Sequence, residues 1–254
     1  LTYRKIASSS DRNKWLEARK SFITASEVAC ILDVGFLSPK ELAAQKSAAV
    51  VVDEEDQIGK LAFVAAGRHL EKGVLSWFAE ETSHLEFESN DWLLARDGGP
   101  AIAATPDGII DGLPVESKNV RFEAFSNWTQ FGSRDEYAQH AWAADIRIVD
   151  IVKRFPPVTM KVAKKDWGTP RGNWRAAVVE AYTQRLQLGP LQPPLKYIVQ
   201  LAVQMYVMDA PRGWITCVVG GDTRLDFLIE RSSTLEAHWL AETAQFIEQI
   251  GGLV

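Results

Sequence analysis

Asp107, Glu116 and Lys118 carry the most legible chemistry in this sequence. They lie in Thr105-Pro106-Asp107-Gly108 and Glu116-Ser117-Lys118. Two carboxylates can hold a hard divalent cation through oxygen. A lysine beside them can orient or help deprotonate an attacking water, or steady developing negative charge. That kit suits metal-assisted cleavage of a phosphodiester. An ion pair on a solvated hairpin uses the same residue types, so the cluster needs support from elsewhere in the chain.

Local elements must bring the three groups together. Pro106 and Gly108 mark a turn, Ile109 and Ile110 open a short apolar strand, and Asp111-Gly112 is a hairpin signal. Val115 to Lys118 reads as the returning strand. Side chains on a strand alternate faces, so Glu116 and Lys118 share one face and Val115 and Ser117 the other. Asp107, at the neck of the hairpin, reaches the Glu116 face.

Four further segments bear on this cluster. Glu71 projects from a long helix predicted over 58–81, with Leu61, Val64, Leu70, Val74, Leu75 and Phe78 on its apolar side. Gly67 and Gly73 mark a bend or close packing there. A surface glutamate is the plain alternative for Glu71. Asp97 precedes Gly98-Gly99 and reads as a turn residue, with a place at the site's edge as the other reading. Arg19 stands just ahead of Thr24-Ala25-Ser26-Glu27, a capping box that opens a helix. Exposed N–H groups, the hydroxyls of Thr24 and Ser26, and a guanidinium make a phosphate receptor. The box accounts for Thr24 and Glu27 without a phosphate and leaves Arg19 unexplained. Gln200 and Gln204 lie four apart on one face of an otherwise apolar helix. Such glutamines find a carboxylate, a water or a phosphate, or they face solvent.

The chain has 254 residues, 46% hydrophobic and 24% charged, within the range of globular proteins. Its net charge of −5 argues against a protein that coats nucleic acid. The charge is uneven. Residues 151–190 hold eight Lys and Arg against Asp166 and Glu180, a local +6, and the rest of the chain carries −11. Cys30 and Cys217 form no disulfide or metal pattern, which favours a reducing, intracellular setting. His69, His84, His140 and His238 form no ligand pair, no apolar run reaches the length of a membrane span, and residues 1–11 carry no leader-like stretch.

Helices are also predicted over 13–19, from Ser38-Pro39, and over 122–131, 174–187, 195–209 and 233–250. Strands are predicted over 85–87, 92–95, 101–104, 148–154, 214–219 and 225–229. Strands framed by helices at both ends give an α/β (α+β) fold, a mixed central sheet flanked by helices.

The Arg19…Ile23-Thr24-Ala25-Ser26-Glu27 segment, Gly67…Glu71, Thr105-Pro106-Asp107-Gly108 with Glu116-Ser117-Lys118, and Tyr197…Gln200 occur in this order. Together they resemble the YqaJ-like viral recombinase family, which includes the phage lambda-type exonuclease and belongs to the PD-(D/E)XK nuclease superfamily. The resemblance covers residues 15–118 and 195–219. It implies a restriction-endonuclease-like core in a single domain over 1–254. It also implies a magnesium-dependent nuclease, with manganese as the alternative ion and two ions per site. Such an enzyme degrades one strand of duplex DNA from 5′ ends.

By this resemblance Asp107 and Glu116 hold metal, with the Ser117 carbonyl as a further ligand and Glu71 in support. Lys118 positions the nucleophilic water. Arg19 with Thr24 or Ser26 receives a phosphate, and Gln200 and Gln204 join the DNA-binding side. The family also implies a trimeric ring around DNA, a single-strand annealing protein as partner, and the cytoplasm as the place of action. The chain departs from the compact phage enzymes in its longer stretch at about 121–195. That stretch carries the basic excess with Trp167 and Trp174, which fit DNA contact, a partner contact or plain structural elaboration. An endonuclease of the same superfamily and an inactive DNA-end-binding module are the competing readings.

Overall fold

The Asp111-Gly112 turn sets the register of the strands that carry the acidic residues. Both of its residues have positive φ, 49° and 76°, as a two-residue hairpin turn of type I′ requires. The turn joins β6 to β7 with Ile110 opposite Leu113. The computed structural model describes residues 3–47, 62–82, 87–120, 127–128, 137–154, 191–221 and 223–253.

The elements in chain order are β1 (Tyr3–Ser8), α1 (Arg12–Lys20), β2 (Ile23–Thr24), α2 (Ala25–Ile31), α3 (Pro39–Ser47), α4 (Ala62–Thr82), β3 (Phe87–Ser89), β4 (Trp92–Arg96), β5 (Ile102–Ala104), β6 (Gly108–Ile110) and β7 (Leu113–Val120). A 3-10 turn at Ala141–Asp145 follows, then β8 (Ile148–Arg154), α5 (Leu195–Met208), β9 (Arg212–Val219), β10 (Thr223–Glu230) and α6 (Ser233–Gln249).

The fold is mixed α+β, with two mixed sheets flanked by helices, consistent with a restriction-endonuclease-like core. One sheet has the order β1-β4-β5-β2 and the other β3-β6-β7-β9-β10-β8. The single mixed sheet expected from the sequence is thus divided in two. The polar segment before Asp11 forms β1, an edge strand of the smaller sheet that pairs antiparallel with β4. In the larger sheet β7 and β9 run parallel, with Glu116 beside Ile215 and Lys118 beside Cys217. Parallel neighbours need a crossover, and α5 lies between them in the chain.

Helix α5 sits at the centre. Twelve of its fourteen residues are buried. It packs on β7 and β9 of one sheet, on β4 and β5 of the other, and on α2 and α6. A helix apolar on all sides belongs inside a fold, and its side chains join the main core with Ile215, Cys217, Leu225 and Phe227. Helix α4 covers the opposite side of the larger sheet. There Leu75 and Phe78 bury Ile110, Val115 and Trp214. Arg224 of β10, fully buried, binds Asp226 and Glu81 and lies 4.9 Å from the Trp77 ring centroid. It ties the sheet to α4.

Two expectations about α4 need correction. Leu70 is 48% exposed, one turn ahead of the buried Val74, Leu75 and Phe78, and the side chains expected beside it at Leu61 and Val64 lie outside those described. Gly73 marks no close packing against the described residues, since a Cβ there would meet none of them within 4 Å. Within the stretch at 121–195, β8 pairs antiparallel with β10 as an edge strand of the larger sheet, where a strand over 148–154 was expected. The helices expected over 122–131 and 174–187, most of the basic segment, Trp167, Trp174 and His84 lie outside the described residues, except Asn127 and Trp128. No helix among the described residues is long and apolar enough to cross a membrane.

Candidate nuclease site

The hairpin positions the acidic groups through its backbone. Asp107 immediately precedes β6, and its Oδ2 accepts the Ser117 N–H of β7 at 2.7 Å. Gly108 beside it has no side chain where a Cβ would come within 3.1 Å of Phe87 and 3.3 Å of Leu75. The chain therefore lies close to α4 at this point. On the α5-facing side of β7, Lys118 pairs closely with Glu116 Oε1, and its Nζ lies 3.9 Å from Asp107 Oδ2. The other Glu116 oxygen accepts a short hydrogen bond from Gln204 Nε2 of α5. Lys118 also lies over the Tyr197 ring, 5.2 Å from its centroid.

Burial governs the charges here. It pushes the Asp107 carboxyl well above the usual carboxylate range, and the charges of Glu116 and Glu71 add to this, with Lys118 opposing. Burial likewise raises Glu71 on α4, within reach of the charges of Lys118 and Glu116. For Lys118 burial disfavours the ammonium, but Glu116 and Asp107 outweigh it and hold its pKa above the ordinary lysine range. The site thus gathers the carboxyl groups of Asp107, Glu116 and Glu71 around one lysine.

The second half of the site comes from α1 and α2. Asp11 caps α1, accepting the Lys14 N–H at 3.2 Å. At the other end of α1, Arg19 lies over the Trp15 ring at 4.4 Å from its centroid, with Arg12 at 4.9 Å. In α2 the Glu27 carboxylate accepts the Thr24 N–H at 2.7 Å, as the capping-box spacing predicts, and the Thr24 and Ser26 hydroxyls lie 3.4 Å apart.

A cleft of about 240 Å³ joins the two halves. Asp107, Glu116, Arg19, Thr24, Ser26, Gln200 and Gln204 all line it, together with Trp15, Ala25 and Thr105. Ser117 approaches the site through its backbone N–H. Glu71 is felt electrostatically but is not among the residues lining the cleft. Asp97 sits in an exposed turn after β4. Gln200 and Gln204 are buried, 7% and 2% exposed, so the solvent-facing alternative does not hold. A buried amide without partners is costly, and Gln204 spends its N–H on Glu116 while its Oε1 finds no partner among the described residues.

Sequence reasoning missed Trp15 and Tyr197 as site residues. The spacing of Trp15 and Arg19, four apart on one helix face, was the available signal for the first. Tyr197 precedes Gln200 by three, again one helix face.

The donor set fits a hard divalent cation. Asp107 and Glu116 offer carboxylate oxygens, and no imidazole or thiolate lines the cleft among the described residues. Among the described residues no three His, Cys, Asp or Glu side chains close around one point.

A family model described as the YqaJ-like viral recombinase domain matches residues 14–145, which is 132 of the 254 residues. No curated protein matches the chain. The matched span runs from the Trp15–Arg19 helix through Lys118, so both halves of the cleft except the α5 glutamines fall inside it. With its segments in this order and its acidic hairpin and basic helix facing one cleft, the chain belongs to the YqaJ-like viral recombinase family and so to the nucleases of phage-type recombination.

Proposed function

We propose that the chain is a metal-dependent exodeoxyribonuclease that degrades one strand of duplex DNA from 5′ ends. The observation that carries this reading is the meeting of two chemistries in one cleft. Carboxylates suited to a metal stand opposite Arg19, Thr24 and Ser26, which are suited to a phosphate. An enzyme that begins at a 5′ end needs both within reach of one strand.

Asp107 and Glu116 would hold magnesium, or manganese in its place, with Glu71 and the Ser117 carbonyl in support. When bound, the ion would polarise the scissile phosphate and lower the pKa of a water beside it. Lys118, already charged and fixed by Glu116, would orient that water and offset charge that builds on the phosphate. Gln204 would keep Glu116 in one rotamer, as outer partners of metal ligands do. Arg19, with its guanidinium on Trp15, would take the 5′ phosphate with Thr24 and Ser26. We read residues 1–254 as one domain acting on DNA ends as a trimeric ring with a single-strand annealing partner in the cytoplasm.

The test compares linear duplex with covalently closed circular DNA, with magnesium and with EDTA. Loss of the linear form alone, and only with magnesium, is expected. Cutting of the circle would replace this reading with that of an endonuclease. Binding of ends without any cleavage would mark an inactive end-binding module.

A further inference from the structure

Lys46 is a largely buried ammonium for which the proposed chemistry has no use. It lies in the last turn of α3, one turn after Leu42, the residue through which that helix enters the core. Its side chain is 9% exposed. Its Nζ lies 3.1 Å from the Arg19 carbonyl, 2.8 Å from the Phe22 carbonyl and 3.0 Å from Glu27 Oε2. An ammonium has three N–H bonds, and here three acceptors surround it. Glu27 Oε2 in turn accepts the Thr24 N–H at 2.7 Å.

These contacts meet at one place in the fold. The Arg19 carbonyl lies in the last turn of α1, the Phe22 carbonyl belongs to the connection, and Glu27 fixes the start of α2 at Thr24. One cation therefore joins the segment that carries Arg19 to the segment that carries Thr24 and Ser26. Apolar side chains can fill a buried gap without the desolvation cost of a charge, so packing alone gives no reason for a lysine. A charge satisfied on three sides fixes relative position, which a phosphate receptor split between two segments requires.

We infer that Lys46 is the positioning residue of the phosphate-receiving half of the cleft: it sets the separation of Arg19 from Thr24 and Ser26 without touching DNA. This rests on the reading of that half as the receptor of a 5′ phosphate.

The experiment measures kcat and KM on linear duplexes with 5′-phosphate or 5′-hydroxyl ends for the parent protein, Lys46→Met and Arg19→Ala. In Lys46→Met the preference for phosphorylated ends falls about tenfold, the loss of one well-aimed charge-assisted contact. The loss appears in KM, and kcat at saturating DNA stays within about twofold, because a receptor that binds ground and transition states alike alters KM. Hydrogen exchange rises over residues 19–27 and stays unchanged over 107–118. A preference that falls in Arg19→Ala but not in Lys46→Met overturns the role of Lys46 alone. A preference unchanged in both variants, or missing in the parent, removes the phosphate reading and this inference with it. A uniform loss of kcat on both ends would make Lys46 a stability residue only and also overturns the inference. Should Lys46→Met fail to fold, Glu27→Gln keeps an acceptor for Thr24 while removing the charge opposite Lys46. It is then expected to lower the preference in the same direction, and an unchanged preference overturns the inference.

Discussion

Asp107→Asn should stabilise the metal-free protein while abolishing its activity. The side chain keeps an oxygen for the Ser117 N–H, now held at 2.7 Å, loses its charge and exchanges the other oxygen for an NH2 group. That charge is unfavourable in the fold: burial first, then Glu116 and Glu71, hold the carboxyl well above its usual range, and Lys118 at 3.9 Å compensates in part. Each tenfold tightening of the hold on the proton costs the ionised folded state about 1.4 kcal/mol. In a domain of this size that corresponds to a Tm change of about 3–6 °C. The sign follows from linkage. A carboxyl raised in the fold is protonated more readily there than in the unfolded chain. Its penalty is therefore full above the folded pKa and disappears as the pH falls through it toward the unfolded value near 3.8. Thermal melts of both proteins in EDTA, from pH 8 down to pH 4, should show the variant melting higher at pH 8 and the gap closing toward pH 4. Magnesium should raise the Tm of the parent and leave the variant nearly unmoved. A variant that melts lower than the parent in EDTA at pH 8, or an equal magnesium effect in both, would refute the reasoning.

Three more outcomes follow from the same geometry. Lys118→Ala should lower kcat by about 10²–10⁴-fold in a single-turnover cleavage assay, with magnesium binding by calorimetry largely retained. Gln204→Leu leaves Glu116 Oε2 without its buried donor and should cost about 1–3 kcal/mol in urea unfolding. It should also weaken magnesium binding about 10–100-fold. Gly73→Ala, in an exposed position of α4 with open space around it, should stabilise by about 1 kcal/mol with activity unchanged.

What the sequence could disclose depended on how far its signals act. The hairpin over Asp107 to Lys118, the capping box at Thr24 and the helix over 195–209 rest on contacts within a few residues, and all three stand as read. The second sheet was not legible, because β1 shows an edge-strand pattern of mostly polar, part-exposed residues and β2 has only two residues. Their pairing with β4 and β5 spans most of the first hundred residues, where no local pattern reports it. The site divides in the same way. Asp107, Glu116 and Lys118 announce themselves by spacing. The bond between Gln204 and Glu116 joins residues 88 apart, and the Lys46 contacts cross 24 and 27 residues. Only the packing of α5 on β7 and of α3 beside α2 creates them. Leu70 fits the apolar period of α4 yet stays exposed, since period alone does not say where a helix leaves its sheet.

The central claim is that the metal-holding and phosphate-receiving halves of one cleft act together on a 5′ end. The most direct measurement is a time course of label release from blunt duplexes labelled at either the 5′ or the 3′ terminus of one strand, with magnesium. The account predicts that the 5′ label is released first, as a mononucleotide, and that the 3′ label stays on shortening strands until late. Early release of the 3′ label, or internal fragments from both substrates, would contradict it.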